Sequence, residues 1–161
     1  MSTVAKGQLL ALIAGLGNLN ILQHLYRRVV ITAEVREEIL RGGGRGFGVE
    51  IFEAAHWLDL QEEPTVISPF LERVLDRGEA SVIQWALAQG VETVCIDEVV
   101  GRRFARLHGL RVTGSVGVLL RAKKEGHVVS VRQALNSMRQ KGIWLSDRVV
   151  RFALKEAGES E

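Results

Sequence analysis

Short, continuous apolar runs alternate along the chain with longer segments whose apolar residues recur every three or four positions. The runs predict buried strands and the longer segments predict amphipathic helices. The predicted strands are residues 2–5, 29–31, 57–60, 91–96 and 111–113. The predicted helices are residues 9–16 and 19–25, then 32–40, 50–56, 68–75, 79–88, 98–108, 115–125, 131–140 and 146–157. The alternation predicts an α/β fold with a central parallel sheet of about four to five strands and helices on both faces.

Three local signals place helix ends. Thr32 is a suitable N-cap for the helix that follows the second strand. Ser68 and Pro69 are typical of a cap and a first helical position. Gly78 is expected to end that helix, so that Glu79 falls in the first turn of the next one.

At 161 residues, with 47% hydrophobic and 25% charged residues, the chain is expected to fold rather than remain disordered. We expect one domain over residues 1–158, a polar tail over 159–161 and a mobile glycine-rich loop over 41–48. The apolar runs are shorter than the ~20 residues that span a bilayer, and residues 1–6 do not resemble a signal peptide. Cys95, the only cysteine, is expected to be buried. These features favour a cytoplasmic protein without a membrane partner.

Basic residues are concentrated in one third of the chain, although the net charge is only +2. They are Arg102, Arg103, Arg106, Arg111, Arg121, Lys123 and Lys124. Such a cluster indicates either solvated helix faces or a surface that binds phosphates. Charge alone does not decide between the two.

Several common sites are absent from the sequence. The four histidines are dispersed, whereas a zinc site needs several convergent ligands. A Gly-x-Ser-x-Gly nucleophile elbow is missing. The glycine stretch 42–48 follows a helix and lacks the Gly-Lys-Ser/Thr ending of a phosphate-binding loop.

The remaining chemistry is acidic. Asp97 and Glu98 directly follow the strand 91–96, and Glu79 begins the preceding helix. Each has an ordinary structural explanation, since carboxylates often lie at helix N-termini. Together they lie near the carboxyl edge of the predicted sheet, where α/β proteins bind ligands. Closely packed carboxylates are stabilised by a hard cation such as Mg²⁺ or Mn²⁺.

Several segments resemble a PIN-domain family. The most specific are residues 78–86 (Gly-Glu-Ala-Ser-Val-Ile-Gln-Trp-Ala), 94–98 (Val-Cys-Ile-Asp-Glu), 109–119 (Gly-Leu-Arg-Val-Thr-Gly-Ser-Val-Gly-Val-Leu) and 122–126 (Ala-Lys-Lys-Glu-Gly). Residues 9–12 and 29–39 also fit, so that the similarity covers nearly the whole chain. The chain is similar to the prokaryotic branch related to the VapC-type toxins of toxin–antitoxin pairs.

The resemblance implies a doubly wound parallel sheet and an Mg²⁺- or Mn²⁺-dependent ribonuclease site. By matching position, the catalytic and metal-binding acids are Glu38, Glu79 and Asp97, and Glu98 assists as a further metal ligand. Glu37 is the alternative to Glu38. The arginine that follows, Arg102, matches one that contacts phosphate or braces the carboxylates.

One departure from the family pattern affects the expected site. The family ends its first strand with Asp-Thr-Ser-Pro, whereas this chain has Ala5, Lys6, Gly7 and Gln8. The central metal-binding aspartate is therefore replaced by Ala5. Lys6 is expected to oppose a cation near that position.

The sequence leaves three functions open. The first is a metal-dependent endoribonuclease of toxin type that is impaired by the loss of the first acid. The second is a catalytically inactive PIN module that binds a protein partner, or binds RNA through Arg102, Arg103 and Lys123. The third is a small-molecule α/β domain, for which the sequence has no nucleotide fingerprint.

The resemblance also implies partners. VapC-type toxins typically form homodimers and bind a small antitoxin protein through an apolar groove. The N-terminal helices, with Leu9, Leu12, Leu16 and Leu22, are candidates for such a groove. Their helical periodicity favours the alternative that they belong to the core.

Overall fold

The structure is a computed structural model that describes residues 2–5, 8–41, 48–128 and 130–159. Most of the predicted loop 41–48 therefore lies outside the described residues, as do Lys6 and Gly7.

A five-stranded, all-parallel sheet forms the centre of the molecule. Its strands are β1 (Ser2–Ala5), β2 (Arg28–Ile31), β3 (Asp59–Leu60), β4 (Thr93–Cys95) and β5 (Arg111–Thr113). Their spatial order is β3-β2-β1-β4-β5, so that β1 is central. At its carboxyl end Ala5 lies opposite Cys95 of β4. The predicted parallel sheet is confirmed.

Ten helices are assigned within the described residues. They are α1 (Gln8–Leu16), α2 (Asn20–Leu25), α3 (Ala33–Leu40), α4 (Val49–Ala54), α5 (Pro69–Val74), α6 (Arg77–Gln89), α7 (Val99–Leu107), α8 (Ser115–Lys124), α9 (Val131–Gln140) and α10 (Asp147–Glu156). Helix α1 packs against α8 and α9, whereas α3, α5 and α7 pack against α6. The result is the predicted three-layer α/β arrangement.

The boundary before α6 differs from the prediction. Gly78 does not end the preceding helix, because α5 already ends at Val74. Helix α6 begins at Arg77, and Asp76 is its N-cap. Gly78 is therefore a buried residue within the first turn of α6. The Asp76 side chain supplies the helix start, and a glycine break is not needed.

The N-terminal helices are part of the core. Leu9, Leu12 and Leu22 are fully buried, and Leu16 packs against the same core. Leu9, Leu12 and Leu22 are therefore core residues, whereas the partly buried Leu16 also lines a surface pocket with His24 and His127. In the part of the chain that the structure describes, no helix has both the length and the apolar character needed to cross a membrane.

Cys95 is a buried structural thiol, as predicted. Burial raises the pKa of Cys95 to about 11, which keeps the group neutral. Its sulfur lies 3.3 Å from the hydroxyl of Thr3 on the neighbouring strand.

Candidate functional site

The start of α6 brings two carboxylates to the carboxyl edge of the sheet. Helix α6 precedes β4 in the chain. Because a helix that connects parallel strands runs antiparallel to them, the N-terminus of α6 lies at the carboxyl edge of the sheet. The Asp76 carboxylate accepts a hydrogen bond of 2.8 Å from the backbone N–H of Glu79. This is the N-cap interaction expected of an aspartate three residues before a glutamate.

Glu79 is buried beneath α7, with only 3% of its surface exposed. Gly101 of α7 leaves the space that the Glu79 carboxylate occupies. A Cβ atom at Gly101 would lie 2.9 Å from Oε1 of Glu79 and 3.0 Å from Cγ2 of Ile96. The absence of a side chain at Gly101 therefore lets α7 cross directly over the carboxylate.

Glu98 completes a group of three acids. Asp76, Glu79 and Glu98 each place a carboxylate oxygen within 4.8 Å of the others. Asp76 and Glu98 are exposed, whereas Glu79 is buried. Three hard oxygen donors at this spacing fit the ligand preference of Mg²⁺ or Mn²⁺. Among the described residues, no other group of three metal-ligating side chains converges in this way.

Asp97 lies beside this group but makes a different contact. Its Oδ1 accepts hydrogen bonds from the backbone N–H of Ser115, at 2.7 Å, and from the Ser115 hydroxyl, at 3.2 Å. Ser115 is the first residue of α8, so Asp97 caps that helix. A Cβ atom at Gly114 would lie only 2.6 Å from the same Oδ1, which explains the glycine there.

Arg102 is the one predicted RNA-binding residue that the structure places next to the predicted acids. Its Nη1 lies 3.4 Å from the position that a Gly114 Cβ would occupy, on the side of Asp97. Arg103 is exposed on the same helix, α7. Lys123 lies in the last turn of α8, about 12 Å along the helix from Ser115, and forms a 3.2 Å ion pair with Glu159.

Residues 3–159 match the family described as DUF3368: PIN domain. The chain belongs to this PIN-domain family. PIN domains are generally nucleases that use divalent metals and commonly bind RNA. No curated protein matches the chain.

Glu38, the predicted acid of α3 in this PIN domain, is not part of the group of three. It is half-buried and lines a depression of about 120 Å³ with Glu34 and Arg77. Glu37 is exposed and pairs with Arg41 one turn later. Glu37 and Glu38 both line this depression with Arg77, in the first turn of α6.

Ala5 is fully buried at the carboxyl end of the central strand. Its methyl group contributes no metal ligand at the position where the resemblance places the first aspartate. The PIN domain thus retains an acidic group built from α6 and Glu98 but lacks the carboxylate expected from β1.

Two functional or structural acids were missed from the sequence. Asp76 had a signal, because an aspartate three residues before Glu79 is typical of a helix cap. Glu34 had none: its carboxylate accepts hydrogen bonds from the backbone N–H and hydroxyl of Thr65, 31 residues further along. Glu34 is therefore an anchor for the segment before α5.

Proposed function

We propose that this PIN domain is a divalent-metal-dependent endoribonuclease. The observation that carries the proposal is the convergence of Asp76, Glu79 and Glu98 at the carboxyl edge of a PIN-domain sheet. The substrate class is single-stranded RNA, in which the phosphodiester is the reacting group. The expected ion is Mg²⁺ or Mn²⁺ because the three donors are all carboxylates.

Each residue of the site has a separate role in the proposal. Asp76, Glu79 and Glu98 would hold the ion, and Glu38 and Asp97 would complete the acidic surface around it. When bound, such an ion neutralises charge on a phosphate and makes water a better nucleophile. Arg102 would bind the phosphate on the side of the site where Asp97 lies. A guanidinium group suits this role because its N–H groups can donate two parallel hydrogen bonds to phosphate oxygens.

The resemblance to VapC-type toxins extends the proposal to the role of the protein in the cell. The nuclease would act as a cytoplasmic toxin, as a homodimer, restrained by a small antitoxin protein. Growth arrest on expression of the chain, relieved by a protein encoded beside it, would test this part. Growth arrest that persists in a Glu79→Gln variant would contradict a nuclease origin.

Ala5 favours a second candidate. A PIN domain without the acid of its central strand holds fewer negative charges against a metal, and it would bind RNA without cutting it. Salt-sensitive retention of RNA, with no product in Mn²⁺ or Mg²⁺, would favour this function.

The first experiment measures Mn²⁺ binding and RNA cleavage on the same samples. Isothermal titration calorimetry gives the affinity for Mn²⁺ alone, and a mixed-sequence single-stranded RNA reports cleavage. The variants are Glu79→Gln and Glu98→Gln, which keep side-chain shape and remove charge. The control is Glu53→Gln, an exposed glutamate on α4.

The nuclease proposal requires both signals to fall together. We expect Mn²⁺ affinity and cleavage to drop at least tenfold in Glu79→Gln and Glu98→Gln and to stay unchanged in Glu53→Gln. Cleavage that survives both changes would show that the ion is held elsewhere. Mn²⁺ binding without cleavage would select the inactive RNA-binding module.

A further inference from the structure

We infer that an apolar pocket beside Asp97 binds the base of an RNA nucleotide, with the indole of Trp144 as its stacking surface. This inference rests on the proposed function, since it assigns a substrate subsite next to the proposed ion site. It goes beyond it by naming side chains outside the acidic group. The nucleotide is the one adjoining the phosphate that Arg102 would bind.

The pocket has two ends of different chemistry. Its volume is about 540 Å³, within the range of small-molecule sites. One end is formed by Asp97, Arg102 and Gly114, and the other by Trp144, Val149 and Phe152. A nucleotide has the same division, with a charged phosphate and a flat, largely apolar base. Asp97 and Arg102 are the two charged residues among those that line it.

Trp144 is unusually exposed for its size, at 83% of its surface. Phe152, at the same end of the pocket, is 55% exposed. Exposed aromatic residues grouped around a concavity usually mark a binding surface, because leaving them in water is unfavourable. Stacking of bases on such side chains is a recurring way to bind single-stranded RNA.

The backbone around Trp144 is held on both sides. The N–H of Ile143 donates to the carbonyl of Met138 at 2.9 Å. The carbonyl of Leu145 accepts from the guanidinium of Arg139 at 2.7 Å. The side chain of Ser146 then caps α10. Trp144 is therefore presented from a fixed segment, and little backbone entropy remains to be lost on binding.

The pocket favours RNA over a protein partner because it is continuous with the acidic site. Asp97 lines the pocket and is the direct sequence neighbour of Glu98. A ribose-phosphate that contacts Arg102 therefore lies between the ion site and the aromatic end. Few polar side chains line the aromatic end, so the subsite is expected to accept several bases rather than select one.

The test compares a mixed-sequence ten-nucleotide RNA with an abasic oligonucleotide of the same length. Both carry the same phosphates, but only one carries bases. Binding to every variant is measured by filter retention in EDTA, where the RNA stays intact, and tryptophan fluorescence is followed in the proteins that keep Trp144. Trp144→Ala removes the stacking surface, Trp144→Phe keeps an aromatic ring, and Leu107→Ala is the control at an exposed residue outside the pocket.

We expect Trp144→Ala to weaken RNA binding about 5- to 100-fold. Trp144→Phe should recover most of that loss, and Leu107→Ala should bind as the parent does. The abasic oligonucleotide should bind more weakly and equally to the parent and to Trp144→Ala. Because Trp144 is exposed, its truncation leaves the core unchanged, which circular dichroism would verify.

Several outcomes would overturn the subsite. Equal binding of the two oligonucleotides, or no binding of RNA, would remove the base from the pocket. Fluorescence that responds to protein concentration and not to RNA would assign the surface to a second copy of the chain. The nuclease proposal can fail independently of the subsite. Base-dependent binding through Trp144 without cleavage in Mn²⁺ would support the subsite and contradict the nuclease. Cleavage and RNA binding that Trp144→Ala leaves unchanged would support the nuclease and contradict the subsite.

Discussion

One oxygen of Asp97 accepts two hydrogen bonds from Ser115, one from its backbone N–H at 2.7 Å and one from its hydroxyl. The contact joins the end of β4 to the start of α8, 18 residues later. Asp97 is thus a structural residue as well as a candidate catalytic one. The two roles depend on different properties of the side chain, namely an acceptor oxygen and a negative charge.

The two roles of Asp97 are separable by substitution. Asp97→Asn keeps an oxygen that accepts from Ser115, so we expect it to fold with nearly parental stability while losing RNA cleavage. Asp97→Ala removes the cap and should lower the free energy of unfolding by about 1–2 kcal/mol. Urea denaturation of both variants, beside the cleavage assay, measures the difference.

The matched control for this pair is Ser68→Ala, which removes the N-cap of α5 and lies outside the pocket and the acidic group. It should lose about 1 kcal/mol and keep cleavage, if cleavage is present. An Asp97→Asn protein that is as unstable as Asp97→Ala would show that the charge, and not the acceptor, holds α8.

Gly101→Ala should disturb Glu79 from a different helix. The added methyl group would lie within 3.0 Å of the Glu79 carboxylate and of Ile96, so one of them must move. We expect a loss of about 1–3 kcal/mol in stability and a weaker affinity for Mn²⁺. Thermal unfolding and calorimetric Mn²⁺ titration report the two effects.

Gly117→Ala serves as the comparison for that change. It adds the same group to the exposed side of α8, where it meets only the hydroxyl of Thr113 at 2.9 Å. A stability change within about 1 kcal/mol is expected, because alanine also favours helix. If Gly101→Ala bound Mn²⁺ as tightly as Gly117→Ala does, Glu79 would not be a ligand.

Ala5→Asp tests whether the central strand still faces the ion site. The new carboxylate would be buried beside Cys95, so without a cation it should destabilise the fold by several kcal/mol. Mn²⁺ should then raise the melting temperature of Ala5→Asp by more than it raises that of the parent. Ala5→Asn, which adds an oxygen without charge, is the control. Identical Mn²⁺ shifts in all three proteins would place the ion away from β1.

We expect the contact between Glu159 and the start of α9 to be sensitive to acid. Its carboxylate accepts from the backbone N–H groups of Val131, at 2.7 Å, and Arg132, at 3.2 Å, at the start of α9. Burial alone would raise the pKa of Glu159, but these bonds and those from Lys123 and Ser130 lower it to about 2. The charged form therefore stabilises the folded state above the unfolded pKa, near 4.5.

We expect Glu159→Gln to cost about 1–2 kcal/mol at pH 7, a value reduced by partial solvent exposure. The difference from the parent should shrink as the pH falls from about 4.5 towards about 2, where the parent's carboxyl also becomes protonated. Denaturation at a series of pH values measures it. A difference that does not change with pH would point to lost packing instead of lost charge.

Strands β1, β2 and β4 were predictable because they are short runs rich in apolar and β-branched residues, whereas the start of α6 was predicted two residues late. Gly78 is a strong local signal, but the Asp76 carboxylate satisfies a free N–H and allows a glycine within the first helical turn. The prediction that Gly78 interrupts the helix was wrong because the Asp76 side chain caps α6 and accepts a hydrogen bond from the Glu79 N–H.

The site was predictable only in part, for a related reason. Glu79 and Glu98 were expected at one edge, and the structure brings them together with Asp76. The bond between Asp97 and Ser115 depends on the register of β4 and β5, and the exposed Trp144 lies in the segment between α9 and α10. Neither leaves a periodic pattern in the sequence.

The central position of β1 has a consequence for the order of folding. In the sheet, Thr3 pairs with Val29 of β2 on one side and with Thr93 of β4 on the other. One of its two pairing partners is therefore 90 residues away along the chain. Closing such a loop is slow, and the sheet cannot be completed early by local contacts. Glu79 and Glu98 flank β4, so they come together only when that strand docks. The capacity to hold a metal ion should therefore appear late in refolding, in the same kinetic phase as the completed sheet.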